Sequence, residues 1–391
     1  MSVVTDPKIG LIDGPVHSRL DSLNRARGWY DWAGYAAPSV LDTMEFEYFA
    51  LRNQASLLDI SPMHKYRITG PDAGIVLNRM VTRDVGKIAS GQVGYAVWCD
   101  EDGMVIDDGT LFRLGKDDWR LCCQEPMLDW LLEAAWGFDA TVEDESHAVA
   151  ALSLQGPTAY SVLSAAGLDV GDLKPFGIRD LGEVMISRTG FTGDLGYELW
   201  CHWDAAEALW DTLWTAGKNW GLRAIGYDAV DLARIEAGFM TAGVDFQPVH
   251  ATERLNRGHT PFELNLGWLV DFSKGHFNGR GALEKVANSP RSLLLRVDVE
   301  GFKPAQGALV YSGKRREVGH VTSGIWSPTT KRSIALAHVK MPYATKRPEN
   351  LWAEIYVEQE GQWHTRWARL TKVKGPFFAP PRARATPPAA T

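Results

Sequence analysis

At 391 residues, with 45% hydrophobic and 23% charged side chains, the chain has the composition of a globular protein of about two or three domains. A net charge of −7 offers no basic footprint, which argues against nucleic acid or an anionic membrane surface as a partner. No apolar run is long enough to span a bilayer, and the start, MSVVTDPKIG, lacks the charged-then-apolar pattern of a secretory leader.

Residues 1–40 read as an ordered aromatic arm, with Trp29, Tyr30, Trp32 and Tyr35 ahead of Pro38. The spacing of Leu41, Met44, Tyr48 and Leu51 predicts a helix over 41–55. A strand at 66–69 and a helix at 72–79 follow, with Asp72 at the helix N-terminus. The runs 95–98 and 104–106 flank Asp100-Glu101-Asp102-Gly103, a β-hairpin whose turn residues tolerate positive φ. Asp107 and Asp108 come directly after the second apolar run. Alternation in a strand sends one of them toward solvent or the turn side and the other inward, where a carboxylate needs a specific partner.

Farther along, strands are expected at 119–123, 149–154, 183–188 and 197–201, and helices at 126–135, 157–166, 205–217 and 228–239. Pro126 suits the first turn of its helix. This alternation lacks regular βαβ units and defines an α+β pattern. Beyond about residue 290, six short alternating runs between 293 and 371 indicate a small all-β barrel or sandwich. The Pro- and Ala-rich end, 376–391, reads as disordered. The expected divisions are 1–40 (arm), 41–150 and 151–290 (two α+β units), 291–375 (barrel) and 376–391 (tail).

Residues 188–198, RTGFTGDLGYE, resemble a phosphate loop, but a strand rather than a helix follows, which weakens that reading. Glu198 sits in that strand among aromatic and aliphatic neighbours. It is either a surface glutamate or a carboxylate that accepts paired N–H bonds from a heterocycle edge. Asp231 and Arg234, at i and i+3, form a solvated ion pair by default, although Arg234 stands close enough to apolar neighbours to reach into a cleft. His64 is a structural histidine or an acid/base group. Among ten histidines there is no HxxxH or HExxH, and no metal is expected. The four cysteines, Cys99, Cys122, Cys123 and Cys201, show no CxxC pattern and fit a reducing, cytoplasmic setting.

Taken in order, several stretches resemble the glycine cleavage T-protein (aminomethyltransferase) superfamily of tetrahydrofolate-dependent one-carbon transferases. They are 58–63 (LDISPM), 68–73 (ITGPDA), 81–85 (VTRDV), the hairpin ending Ile106-Asp107-Asp108, 154–157 (LQGP), 187–198, 233–237 (ARIEA), 261–263 (PFE), Gly267-Trp268, 317–324 (EVGHVTSG) and Ser327-Pro328. The resemblance implies a three-lobed ring: two α+β domains, the second ferredoxin-like, and a C-terminal β-barrel around a central folate channel. It implies Asp108 as the essential catalytic aspartate, steering protons and stabilising positive charge, with Tyr95, Glu198 and Arg234 in cofactor binding. Cys123 stands at a cofactor-side position where the family carries asparagine.

Other positions depart from the T-protein pattern. Pro62-Met63-His64 replaces His-Met-Gly, Val230 replaces an arginine, and 247–260 is an insertion. These departures favour relatives that demethylate small molecules. The aromatic content, with Trp98 and Trp326 added to the arm residues, points to an aromatic or cationic substrate. The candidate substrate contacts are His64, Tyr66, Trp98 and Trp326. The expected function is transfer of a one-carbon unit from a small methylated or hydroxymethylated substrate to N5 of tetrahydrofolate. The alternatives are a folate-independent lyase releasing formaldehyde, a T-protein aminomethyltransferase, and a non-catalytic folate-binding factor.

Overall fold

The computed structural model describes residues 10–252, 257–346, 348–386 and 388. Part of the insertion at 247–260 and the first nine residues of the arm therefore lie outside the described residues. The rest of the arm folds as a short helix, His17–Leu23, and an antiparallel hairpin, Gly28–Trp32 with Tyr35–Val40.

The hairpin expected around Gly103 forms as Gln92–Cys99 paired with Val105–Arg113. Gly103 takes φ 76°, the conformation the turn requires. Asp118–Cys123, His64–Thr69 and Thr141–Asp144 complete a five-stranded sheet. Its face carrying Trp98, Leu111, Leu121 and Tyr66 packs under the helices Ala73–Met80 and Leu128–Ala135. Pro126 lies ahead of the second helix rather than in its first turn, because the chain turns there to let Met127 N–H reach the Tyr66 hydroxyl at 2.8 Å.

A second, six-stranded sheet follows the order β-α-β-β-α-β of a ferredoxin-like unit: Val149–Gln155, Ala159–Ala165, Val184–Ser187, Gly196–His202, Ala206–Gly217 and Leu222–Ala224. Ile178–Asp180 extends one edge. Ala55–Asp59, from before the first sheet, is inserted between Val149–Gln155 and Leu222–Ala224. Strand alternation divides this sheet cleanly. Leu152, Leu154, Tyr197 and Leu199 face the two helices, whereas Ala151, Trp200 and Leu58 face the five-stranded sheet. There they meet Val93, Phe112 and Cys122, and Phe112 stands edge-on to Trp200 with ring centroids 5.0 Å apart.

The last unit is a closed barrel of six strands: Ser292–Val299, Arg332–Lys340, Arg316–Ser327, Leu309–Ser312, Leu351–Gln359 and Gln362–Lys372. Leu294 and Leu336 of the barrel share an apolar cluster with Val97, Val105, Met240 and Phe246, so all three units converge on one side of the five-stranded sheet. The tail departs from expectation. Phe377 and Phe378 donate backbone N–H bonds to Glu236 O, and Arg382 forks onto Asp194 at 2.6 and 2.8 Å. A buried aspartate and two free carbonyl lone pairs give this Pro-rich segment partners that its composition does not reveal. No described helix is long and apolar enough to cross a membrane.

Candidate active site

Register decides which side chains meet. Val97 pairs with Asp108, Tyr95 with Thr110 and Cys122 with Thr110, so Asp108, Tyr95 and Cys122 share the face turned toward the other two units. Asp107, Trp98, Cys123, Tyr66 and His64 share the opposite face. Gly109, between these rows, has no room for a Cβ, which would sit 2.3 Å from Cys122 O and 3.2 Å from the Trp98 ring. Glu198 pairs with Ser187 and Ser153 and stands on the same face as Trp200, looking back at the five-stranded sheet. The structure thus turns Asp108, Tyr95 and Glu198 into one inter-sheet layer.

Neither aspartate faces bulk water, which corrects the expectation that alternation would send one of the pair toward solvent or the turn side. The five-stranded sheet is covered on both faces. Asp107 is fully buried; its Oδ2 accepts the Glu125 N–H at 3.0 Å, and its Oδ1 has no partner. Burial and the adjacent Asp108 push its carboxyl well above the usual range. Burial also raises Asp108, to about 6, against the Tyr95 hydroxyl that donates to its Oδ2 at 2.6 Å. Burial keeps Tyr95 a neutral phenol, far above its ordinary value. Glu198 is raised by burial and held down by the Thr189 hydroxyl, which donates to its Oε2 at 2.5 Å, and by Ser187.

Asp108, Tyr95 and Glu198 each retain some accessible surface while being desolvated. Accessible yet poorly hydrated side chains between two sheets would line a cleft for a ligand entering there. Neither carboxylate has a cationic partner among the described residues. Such a wall suits a planar ligand rich in N–H donors, and the reduced pterin of tetrahydrofolate fits this donor–acceptor balance.

The remaining expected residues are distributed more widely. Arg234 is buried: it pairs with Asp245, donates to Asp231 Oδ1 and Ser323 Oγ at 2.8 Å each, and reaches Phe239 O at 3.1 Å. It therefore clamps its helix, Tyr227–Ala237, to the barrel, and the Asp231–Arg234 pair is not the solvated one that spacing suggests. Cys123 lies on the face away from Asp108, its thiol donating to Glu125 O at 3.2 Å; Cys122 is the thiol on the Asp108 face. His64 is half-buried and stacks on Tyr66, and burial lowers its pKa. Trp98 is fully buried with its indole N–H at the Met127 sulfur, 3.3 Å away. Trp326 meets Phe302 at a 50° tilt, ring centroids 5.3 Å apart, beside a cavity of about 450 Å³ on the barrel, apart from Asp108.

Lys65 was not singled out by its position in the sequence. It is fully buried on the cleft face, donates to Ser61 O and Met63 O at 2.6 and 2.7 Å, and is lowered to about 8 by burial. An apolar strand with a lysine at an inward position was the one available signal. Tyr227, at the head of the Arg234 helix, packs against Tyr30 and Trp32 of the arm, and nothing local marked it.

Comparison with known proteins agrees with this architecture. The GCVT N-terminal domain pattern matches residues 22–274, and the glycine cleavage T-protein C-terminal barrel domain pattern matches 291–378. The aminomethyltransferase of Streptomyces coelicolor is 35% identical over 353 residues, covering 86% of this chain and 92% of its own. That of Lysinibacillus sphaericus is 32% identical over 360 residues, covering 89% and 93%. The crystal structure of the glycine cleavage system aminomethyltransferase T from Bartonella henselae superposes with a TM-score of 0.82 at 25% identity, over 94% of this chain and 98% of that one. Together, the three-part fold and these matches define a one-carbon transferase whose cofactor is tetrahydrofolate. The chain belongs to the glycine cleavage T-protein family.

Proposed function

We propose that the chain moves a one-carbon unit from the heteroatom of a small donor to tetrahydrofolate, with Asp108 as the acid–base group and an amine of the aminomethyl type as donor. The observation that carries this reading is the Asp108 carboxyl, raised to about 6 and hydrogen-bonded by Tyr95, with no ion pair to it among the described residues. Tetrahydrofolate, held with its pterin edge against Glu198, would supply N5 as the acceptor of the carbon, and the donor heteroatom would leave with the electron pair of the broken bond. Asp108 takes up the proton released in that exchange, a task suited to a group titrating near neutral pH. Tyr95 stays protonated and keeps the Asp108 carboxyl oriented. Glu198, fixed by Thr189 and Ser187, accepts N–H bonds from the pterin edge.

The names of the relatives support an aminomethyl donor over the aromatic or cationic methylated substrate to which the aromatic content points. A second reading, demethylation of a small free amine or sulfonium in place of a lipoyl-bound carrier, draws on Pro62, His64 and Val230, where the T-protein pattern is broken. The four free cysteines, all buried, support a reducing, cytoplasmic setting. The test is formation of methyl- or methylene-tetrahydrofolate from each donor class. Product from the lipoyl-bound aminomethyl carrier alone selects the first reading and product from free donors the second. Failure of every donor class to give tetrahydrofolate-dependent product removes both.

A further inference from the structure

We propose that the C-terminal segment 376–386 is a strap that positions Glu198, by anchoring both ends of the loop 188–194 that leads into the Glu198 strand. Arg188 and Arg382 are its positioning residues. That the positioned carboxylate holds the cofactor rests on the function proposed above; the strap itself does not.

The loop carries the glycine spacing of a phosphate motif, and the structure gives those glycines another task. Gln155, buried at the end of Val149–Gln155, sits inside the loop. Its Nε2 donates to Thr189 O at 3.2 Å and to Tyr197 O at 3.4 Å, and its Oε1 accepts the Thr192 hydroxyl at 2.9 Å. A Cβ at Gly190 or Gly196 would stand 2.1 or 1.9 Å from Gln155 Oε1, so only glycine lets the backbone close around this amide. Thr189, at the start of the loop, donates its hydroxyl to Glu198 Oε2 at 2.5 Å. The set of the Glu198 carboxylate therefore depends on where the 188–194 backbone lies.

The tail holds that backbone from outside. Arg188 is buried and meets four acceptors, three of them in the tail: Thr386 Oγ1 at 2.9 Å, Ala385 O at 2.6 Å and Ala383 O at 3.4 Å. The fourth is Leu173 O at 2.8 Å. At the far end of the loop, buried Asp194 is shared by Arg382 of the tail and Arg52. The start of the tail is fixed separately, by the Phe377 and Phe378 N–H bonds to Glu236 O and by the Arg52 guanidinium 4.8 Å from the centre of the Phe378 ring.

Lifting the tail would leave Arg188 with one carbonyl and take one of two guanidiniums from Asp194. A buried charge short of partners is costly, so the loop would shift toward water and carry Thr189 away from Glu198. None of these bonds reaches the five-stranded sheet that carries Asp108 and Tyr95. The strap acts on the Glu198 side of the cleft and leaves the proton-transfer pair alone.

Two measurements on the full chain test this, with Arg382→Ala, Arg382→Glu and Arg382→Lys, all at a part-exposed rim where the fold should persist. The first is amide hydrogen exchange without cofactor. Exchange across 188–198 should rise about threefold in Arg382→Ala and about tenfold in Arg382→Glu, whose carboxylate would face Asp194, while the hairpin 92–113 is unchanged and Arg382→Lys stays close to wild type. The second is calorimetric titration with tetrahydrofolate. Its dissociation constant should rise by the same factors, because affinity falls with the fraction of chains that hold the competent loop. In a Glu198→Ala background the Arg382 substitutions should have no further effect. Unaltered exchange over 188–198, or equal losses of affinity with and without Glu198, would overturn the strap. If exchange responds and the wild type does not bind tetrahydrofolate, the strap stands and the proposed function falls. If Glu198→Ala weakens binding and no Arg382 variant does, the function stands and the strap falls.

Discussion

Asp107 and Asp108 are adjacent in sequence and occupy different environments because a strand turns neighbours to opposite faces. Asp107 is sealed on the Trp98 side; Asp108 shares the cleft side with Tyr95. Replacing Asp108 by Asn keeps shape and hydrogen bonding but removes the titration, so kcat should fall by roughly 10²- to 10⁴-fold while the fold persists. Stability then gives an independent check. A carboxyl raised from an unfolded value of about 3.9 to about 6 favours folding in its neutral form. That contribution is complete below pH ~3.9 and is lost as pH rises through about 6. The melting temperature of Asp108→Asn should therefore match the wild type at pH 4 and exceed it at pH 8. In the wild type, kcat/KM should fall as the carboxylate is protonated below about pH 6. A gap of the opposite sign at pH 8, or a profile flat through that window, would show that Asp108 is not the titrating group.

At the scale of elements, two helices and the C-terminal segment are joined through one buried charge cluster. Arg52 of the helix Met44–Asn53 forks onto Glu236 Oε2 at 2.6 and 2.9 Å, and Tyr48 donates to Glu236 Oε1 at 2.6 Å. Arg52 also meets Asp194, the residue that Arg382 grips from the tail. Glu236→Ala would leave the Arg52 guanidinium buried with one carboxylate fewer, and should destabilise by about 3–5 kcal/mol in urea unfolding. Arg382→Ala, at a part-exposed rim, should cost about 1 kcal/mol or less. Equal losses for the two variants would mean that burial is not what sets their weight. The same cluster marks the boundary of what sequence alone conveys. The helices 44–53 and 227–237, the hairpin at Gly103 and the barrel runs are legible, because each depends on periodicity and turn chemistry within about ten residues. Alternation flags Asp107 or Asp108 and the strand context flags Glu198, but the roles proposed for Asp108 and Glu198 come from the resemblance to the family. Lys65, the Arg52–Glu236 pair and the docking of Arg382 onto Asp194 depend on partners that only the tertiary fold supplies. The tail was misread because a count of prolines and alanines carries no record of the aspartate, 188 residues away, that Arg382 meets.

For the whole molecule, the question is whether the three units act as one when the cofactor binds. Asp108 belongs to the first sheet and Glu198 to the second, and Arg234 ties the intervening helix to Ser323 of the barrel. A ligand held by both carboxylates bridges two units that also meet through apolar contacts such as Phe112 on Trp200 and through backbone bonds from Val93 to Phe176 O and from Ile178 to Gly91 O. Binding to the folded chain alone raises stability by about 2.7 kcal/mol at a hundredfold excess over Kd. Tetrahydrofolate should therefore raise the melting temperature by several degrees and draw separate unfolding steps of the two sheets into one transition. Glu198→Ala should reduce the shift by weakening affinity, and Asp108→Asn should leave most of it, since the pterin edge is assigned to Glu198 and the proton to Asp108. The contrast between these variants is the measurement that matters. A shift lost equally in both would place the pterin against Asp108 as well, and a shift intact in Glu198→Ala would move the pterin away from the second sheet altogether. A ligand that spans both sheets also has to leave by parting them. Product release should then slow as solvent viscosity rises, in step with opening of the Phe112–Trp200 contact rather than with the proton transfer at Asp108.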